Sequence, residues 1–520
     1  MTDLKLTNSL LNSKDKSFMP KIALALIVVF VLYRLVIVLL FPLDVSIHYT
    51  NDDTGYYLEI ARNLADGDGF SFDELHQTNG FHPLWLGVLA IPYLLGAGLL
   101  SGYYIGMTIT ILLFGFGLYQ AWQFVRKRFG EAAGLVVVFA GAWPQIFNAL
   151  NLGMEITLTF ALVMSALRLA DRHELVKFKA PPRIEWGVGV LLALIFLSRL
   201  DTAFLHLVAG VFFATAYLKK DRTPDRTFAD LLRRGLRIFG PAALALAGYM
   251  LWNYLAFGHL TALSGSLKSS FPVPGFYLDS ILYRELGVVV KASLVWVFIR
   301  RRSFSAEVKI LAWGAGGQLL YYLLFLKWAP FSYYLIALGL PIFLIALGDV
   351  IGILVKKKSV LHRWLPIAAG VVAIAGQAFA LTRFHLGFIR DSYRAAVWVQ
   401  NNTPDDAIFA MRDCGIFGYF SDRRTINLDG LVNDYEYQEY VSQGRLDEYL
   451  EENGVDYFVY HAITDAKYDE MPFYIPGRLH GGVSEITLRA EDEIFRGTPY
   501  TYYHPGAAPM MVAIWKISSE

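Results

Sequence analysis

Two adjacent carboxylates, Asp52 and Asp53, open the segment Asn51-Asp52-Asp53-Thr54-Gly55-Tyr56-Tyr57-Leu58-Glu59-Ile60-Ala61-Arg62-Asn63-Leu64, just beyond the first long apolar run. Paired carboxylates can take a proton from a hydroxyl or hold a divalent cation. Tyr57, Ile60, Ala61 and Leu64 recur at i, i+3, i+4 and i+7, which predicts an amphipathic helix resting on a membrane surface. The carboxylates fall at its N-terminus, where the helix dipole and free N–H groups favour their ionised form. Either aspartate can also cap the helix, and capping is compatible with chemistry.

Other chemically able residues are scattered. Glu155, in Asn151-Leu152-Gly153-Met154-Glu155, is a second acidic candidate on the same side. Asp53 and Glu155 are candidate ligands for a divalent metal such as Mg or Mn. Tyr57, Asn79, His82, Arg199, Lys268, Lys327 and Tyr334 are candidate substrate contacts, with His82 and the three cations suited to an anionic leaving group. Each also has a plainer reading. Arg199 and Asp201 can pair with each other at the end of an apolar run, and Lys268 can be solvated in its Ser, Gly and Pro-rich loop. Lys327 with Trp328, Tyr333 and Tyr334 reads first as an interfacial anchor. Near the C-terminus, Asp429-Gly430 and Asn433 are ordinary turn chemistry, while Tyr435, Tyr437, Tyr440, Tyr500, Tyr502, Tyr503 and His504 suit either carbohydrate stacking or packing.

These residues sit in a chain of 520 residues that is 55% hydrophobic and 18% charged, more apolar than a globular core requires. Lipid is therefore the expected solvent. A net charge of +1 carries no signal for nucleic acid, and none is expected as a partner. Cys414 is the sole cysteine, which excludes an intrachain disulfide and any cysteine-rich metal site. The run Ile22 to Leu40 lacks a following cleavage pattern and is expected to remain as an anchor.

A membrane-spanning helix needs about 20 apolar residues. That measure predicts about eleven spans, near 21–42, 102–125, 131–150, 155–171, 186–199, 202–218, 238–257, 282–299, 308–328, 333–355 and 364–384. The run 83–100 is read as a helix at the outer interface, because counting it as a span would scatter the Lys and Arg residues over both sides. With the N-terminus cytoplasmic, the loops near 126–128, 168–183, 219–237, 300–309 and 356–363 collect the basic residues. The opposite segments then hold Arg62, Lys268 and Arg284. The expected fold is mainly α: a polytopic transmembrane domain over 1–384, including a first outer loop at 43–101, then a small extracytoplasmic α/β domain over 385–520. In the latter, helices are expected at 391–401 and 446–453, and strands at 407–411, 456–460 and 510–517.

Asp52-Asp53 with Tyr56-Tyr57 and Ile60-Ala61-Arg62-Asn63, then Gly67-Asp68-Gly69-Phe70, then Thr78-Asn79-Gly80-Phe81-His82-Pro83-Leu84-Trp85, resembles the GT-C superfamily of glycosyltransferases that use lipid-linked sugars. Relatives include protein O-mannosyltransferases and lipid A aminoarabinose transferases. The resemblance covers about the first 220 residues, and the rest by topology alone. It implies an inverting transfer of a sugar from a polyprenyl-phosphate donor to a glycan, lipid or protein acceptor outside the inner membrane. It places Asp52 at the base position, Asp53 as its acidic neighbour, and Glu155 as the second acidic residue. The C-terminal region lacks the Trp-Trp-Asp motif of oligosaccharyltransferases, which argues against transfer of a whole oligosaccharide to asparagine. A transporter or lipid-carrier flippase is the alternative, but it predicts inverted repeats and mid-membrane polar groups rather than carboxylates gathered at one face. A scaffold or receptor would leave the acidic loop unexplained.

Overall fold

A computed structural model describes residues 2–218, 227–277, 285–328, 331–358, 360–382, 387–463, 469–500 and 509–517. Every apolar run expected to span is helical in its described part. Among the described residues, seven helices are long and apolar enough to cross a membrane: Met19–Leu40, Leu99–Phe129, Leu200–Leu218, Phe228–Phe257, Ala306–Phe325, Tyr333–Lys357 and Leu361–Ala380. The chain is a multi-pass membrane protein. The other expected spans are shorter. Ile156–Arg172 and Pro182–Ser198 have 17 residues each, at the low end of what crosses hydrocarbon. The run at 131–150 divides into Glu131–Gly141 and Pro144–Ala149, because Pro144 has no N–H to continue a helix and instead starts a new one. Pro83–Leu94 has 12 residues, about 18 Å of helix, too short to span. The expected start at 282, Arg284, the end at 383–384, and Tyr502, Tyr503 and His504 lie outside the described residues.

Among the described residues, seven strands lie in the C-terminal part: β1 (Ile408–Met411), β2 (Arg424–Asn427), β3 (Tyr457–Ile463), β4 (Glu470–Pro476), β5 (Val483–Arg489), β6 (Glu493–Arg496) and β7 (Met510–Lys516). Five form a mixed sheet in the order β2-β1-β3-β7-β6, parallel across β2, β1 and β3 and antiparallel beyond. β4 and β5 make a separate antiparallel hairpin. The expected strands and both expected helices are present, with ends shifted by a few residues. The helix Gly415–Ser421, β2, β6 and the hairpin were not foreseen.

One apolar core fills the helical bundle, and a second runs without a break from the first span and outer loop into the sheet. Val38, Ile60, Trp85, Leu89 and Tyr103 meet Ala395, Phe409, Ile416, Phe417 and Val459 in this shared core. A third cluster packs the opposite sheet face against the hairpin through Phe458, Trp515, Phe473, Ile475 and Leu488. Burial on this scale, at about 25 cal/mol per Å² of apolar surface, holds the C-terminal part onto the outer loop.

Candidate active site

The helix Asp52–Asp66 carries both aspartates in its first turn and ends at Gly67, whose left-handed backbone closes on the Asn63 carbonyl. Its apolar pattern suggested a helix lying on a membrane surface; ten of its 15 residues are buried within the protein, where it packs against the helices Pro83–Leu94 and Gly415–Ser421. It meets Gly415–Ser421 backbone to backbone at a glycine pair. A Cβ on Gly55 would sit 2.0 Å from the Gly415 carbonyl oxygen, and one on Gly415 would sit 2.1 Å from that of Asp52. Neither position accepts a side chain without a shift.

That contact engages the Asp52 side chain. Its carboxylate accepts hydrogen bonds from the Gly415 and Ile416 amides, at 3.0 and 2.9 Å, and therefore binds the N-terminus of the crossing helix. Burial pushes the Asp52 carboxyl up to about 7, against the downward pull of the two amides. Expected as the base, Asp52 instead has both oxygens engaged by backbone and does not line the pocket beside it. Asp53, one residue on and turned about 100° around the helix, lines that pocket. Its carboxylate accepts from the Tyr333 hydroxyl at 3.1 Å. Burial raises the Asp53 carboxyl above its ordinary value, and the Lys268 charge opposes that rise without cancelling it.

The pocket is open at its mouth and spans about 580 Å³, counting the solvent space at its opening. Asp53, Tyr57 and His82 from the outer loop meet Glu155, Arg199, Lys268 and Tyr334 from the bundle, and Leu431 and Val432 come from the C-terminal part. The walls are stitched together by short bonds. The Asn51 amide and the Thr54 hydroxyl both donate to the Leu152 carbonyl, at 3.1 and 2.6 Å. Trp85 Nε1 donates to the Gly153 carbonyl at 3.1 Å, so the Glu155 loop is bound to the outer loop from two directions. Asn79 is not in the wall. It bonds Asn253 at 2.7 Å and accepts from the Leu263 amide at 2.8 Å, which positions the short helix ending in Lys268.

Glu155 and Arg199 form a buried ion pair at 2.6 Å, and Arg199 also grips Asp201 with two nitrogens at 3.1 and 2.6 Å. The expected pairing of Arg199 with Asp201 is thus present, yet Arg199 still faces the pocket. Tyr334 lies between two cations, with Arg199 Cζ 5.7 Å and Lys268 Nζ 5.9 Å from its ring centre. Burial works against the Lys268 ammonium, but Tyr334 and the Asp53 charge outweigh it and raise its pKa. Burial and the Arg199 charge push His82 down to about 3, so it is neutral at physiological pH. Its Nδ1 has no hydrogen-bond partner. Lys327 does not line the pocket and instead donates to the Arg478 carbonyl at 2.6 Å.

Asp53 and Glu155 do face one pocket, and Glu155 Oε2 has no hydrogen-bond partner. As a resident divalent-cation site the set is nevertheless poor. The other Glu155 oxygen is held by Arg199, Lys268 adds a second positive charge, and no three His, Cys, Asp or Glu side chains among the described residues gather as metal ligands. Asp429 and Asn433 are occupied internally: Asp429 accepts from Arg412 and the Asp413 amide, and Asn433 bonds Asn427, Asp434 and Tyr449. Two further residues support the site, Tyr333, read from sequence only as part of an interfacial anchor, and Arg34, not singled out at all. Tyr333 holds Asp53. Arg34, a charge well inside the first span, reaches the Tyr49 and Asn151 carbonyls, and an intramembrane charge was the signal that would have found it.

The fold defined by this bundle, acidic outer loop and terminal sheet is shared with solved structures of ArnT and of the oligosaccharyltransferase AglB. ArnT from Cupriavidus metallidurans bound to undecaprenyl phosphate aligns with a TM-score of 0.56 and 12% identity, covering 88% of this chain and 97% of that one. ArnT in the apo state gives 0.52 and 12% over 83% and 92%. The oligosaccharyltransferase AglB from Archaeoglobus fulgidus, in complex with an inhibitory peptide and a dolichol-phosphate, gives 0.50 and 13% over 84% and 69%. At such identities the likeness concerns the fold. Residues 385–503 match a family described as a domain of unknown function, DUF8728. No curated protein matches the sequence.

Proposed function

We propose that this chain is an integral membrane glycosyltransferase that moves a sugar from a polyprenyl-phosphate donor to a hydroxyl-bearing acceptor, with inversion at the anomeric carbon. The observation that carries this reading is the placing of a half-buried carboxylate, Asp53, with two cations, Arg199 and Lys268, in one pocket beside the membrane-spanning bundle. GT-C neighbours that hold undecaprenyl phosphate and dolichol-phosphate support it. In the reaction, Asp53 accepts the proton of the acceptor hydroxyl as its oxygen bonds to the anomeric carbon. The bond from that carbon to the phosphate oxygen breaks, and its electron pair leaves with the polyprenyl phosphate. Arg199 and Lys268 neutralise the departing charge, which is worth most in a site that excludes water. Glu155 and Asp201 hold Arg199 in place, Tyr333 orients Asp53, and Asp52 fixes the helix that carries Asp53. Neutral His82 is left to donate or accept a hydrogen bond with the sugar. The outer loop and sheet lie on the extracytoplasmic face of the inner membrane, and the chain divides at residue 384 into the catalytic bundle and the covering α/β unit.

The test is a titration of undecaprenyl phosphate, the product common to any such donor, into the full-length protein in phosphatidylcholine nanodiscs. Wild type is expected to bind it, and Lys268→Gln to weaken binding about tenfold, the equivalent of one charge-assisted contact. Absence of binding by wild type would overturn the proposal.

A further inference from the structure

Beyond the pocket, the cations continue outward. Lys268 Nζ, already 5.9 Å from the Tyr334 ring, is also 5.7 Å from the Trp328 ring. Arg478 Cζ stacks over that same Trp328 ring at 4.0 Å, and Lys327 Nζ bonds the Arg478 carbonyl at 2.6 Å. Arg199, Tyr334, Lys268, Trp328 and Arg478 therefore alternate cation and aromatic ring from the pocket wall to the C-terminal part. Arg199 is neutralised by Glu155 and Asp201, but Lys268, Lys327 and Arg478 form no ion pair with a carboxylate among the described residues.

The far end of this series is built, not incidental. Arg478 sits in the turn joining β4 to β5, where the Gly477 amide bonds the Gly482 carbonyl at 3.0 Å. Gly482 has a φ of +82° and approaches the Ser442 backbone so closely that a Cβ would lie 2.2 Å from its carbonyl oxygen. The Ser484 hydroxyl fastens the same turn to the Val441 carbonyl at 3.0 Å. On the other side, Lys327 N bonds the Lys268 carbonyl at 3.0 Å and Ser270 N bonds that of Phe325 at 2.8 Å, which sets Lys268 and Lys327 side by side on paired backbone. Burial, and after it the Arg412 charge, lower the Arg478 pKa against the opposing pull of Asp429 and Asp413. Such an arrangement costs free energy unless an anion completes it.

We propose that Arg478 and Lys327, one aromatic ring outward from Lys268, form a subsite for an anionic group, phosphate or carboxylate, carried by the sugar acceptor. This rests on the glycosyltransferase reading of the pocket. Arg199 and Lys268 line the pocket and serve the donor phosphate in that reading, while Arg478 stands outside the pocket wall on the hairpin of the C-terminal part. A planar guanidinium stacked on indole presents its N–H edge to an oxyacid in two-pronged fashion.

The test uses the full-length protein in phosphatidylcholine nanodiscs loaded with undecaprenyl phosphate, titrated with glucose 6-phosphate and, in parallel, with glucose. Glucose 6-phosphate is expected to bind at least tenfold more tightly than glucose. Arg478→Gln removes that preference, Arg478→Lys keeps most of it, and neither changes the affinity for undecaprenyl phosphate. Equal binding of the two sugars overturns the subsite. So does displacement of glucose 6-phosphate by undecaprenyl phosphate, or a loss of undecaprenyl phosphate affinity in Arg478→Gln, since either result makes the cations part of the donor site. If undecaprenyl phosphate itself does not bind, the enzyme reading falls and the subsite with it; if it binds while the sugars are not distinguished, the subsite alone falls.

Discussion

Replacing Asp52 by Asn separates the two aspartates' roles. The amide keeps one acceptor oxygen for the Gly415 and Ile416 amides but turns an NH₂ toward the other. A hydrogen bond to a charged group contributes about 1.5–3 kcal/mol, so losing one shifts the local opening of the 415–421 helix by about 10- to 150-fold. Hydrogen–deuterium exchange of a peptide covering residues 412–421, at pH 8 where a carboxyl raised to about 7 is ionised, reads that opening directly. Asp52→Asn is expected to speed this exchange by that factor, with turnover reduced far less than in Asp53→Asn. Asp53→Asn is expected to leave the exchange unchanged. If instead Asp52→Asn abolishes turnover with exchange at wild-type rates, Asp52 is the base and the assignment made from the geometry is refuted.

Asp53→Asn should lower turnover by about 100- to 10,000-fold, the usual worth of a positioned base. Because the base must be ionised and burial raises Asp53, wild-type turnover should climb with pH through an apparent pKa above the ordinary carboxylate range; a rate independent of pH between 4 and 8 would count against it. Glu155→Gln leaves Arg199 bound to Asp201, so folding and expression should hold while turnover drops at least about tenfold, and unchanged turnover would reduce Glu155 to a structural partner. Gly55→Ala forces a methyl group into the Gly415 carbonyl and should cost about 1–3 kcal/mol of stability, seen as a lower thermal transition; an unshifted transition would contradict the backbone contact. Transfer should survive EDTA, since Arg199 and Lys268 supply the positive charge, and loss of activity restored by Mg or Mn would restore the cation reading of Asp53 and Glu155.

Much of this was legible because its signals are local. Apolar runs of about 20 residues mark helices whatever surrounds them, and a carboxylate pair after the first of them is conspicuous in so apolar a chain. Asp53, Glu155, Arg199, Lys268, His82, Tyr57 and Tyr334 do meet in one pocket. The engagement of both Asp52 oxygens was not legible, because their partners are amides more than 360 residues away at Gly415 and Ile416. The amphipathic period of residues 57–64 identified a helix but could not show that its polar side would be covered by another. Gly55 and Gly415 were the sequence trace of that contact, readable only once both were known to face each other. Lys327 read as an interfacial anchor because its partner, the Arg478 carbonyl, lies on a hairpin that turn chemistry alone did not disclose.

The most direct measurement is incubation of the purified full-length protein in nanodiscs with a panel of radiolabelled undecaprenyl-phosphate sugars, following free undecaprenyl phosphate and the labelled product. The account predicts release from at least one donor, slowed about 100- to 10,000-fold in Asp53→Asn. Movement of an intact labelled lipid between leaflets with no cleavage of any donor would contradict it.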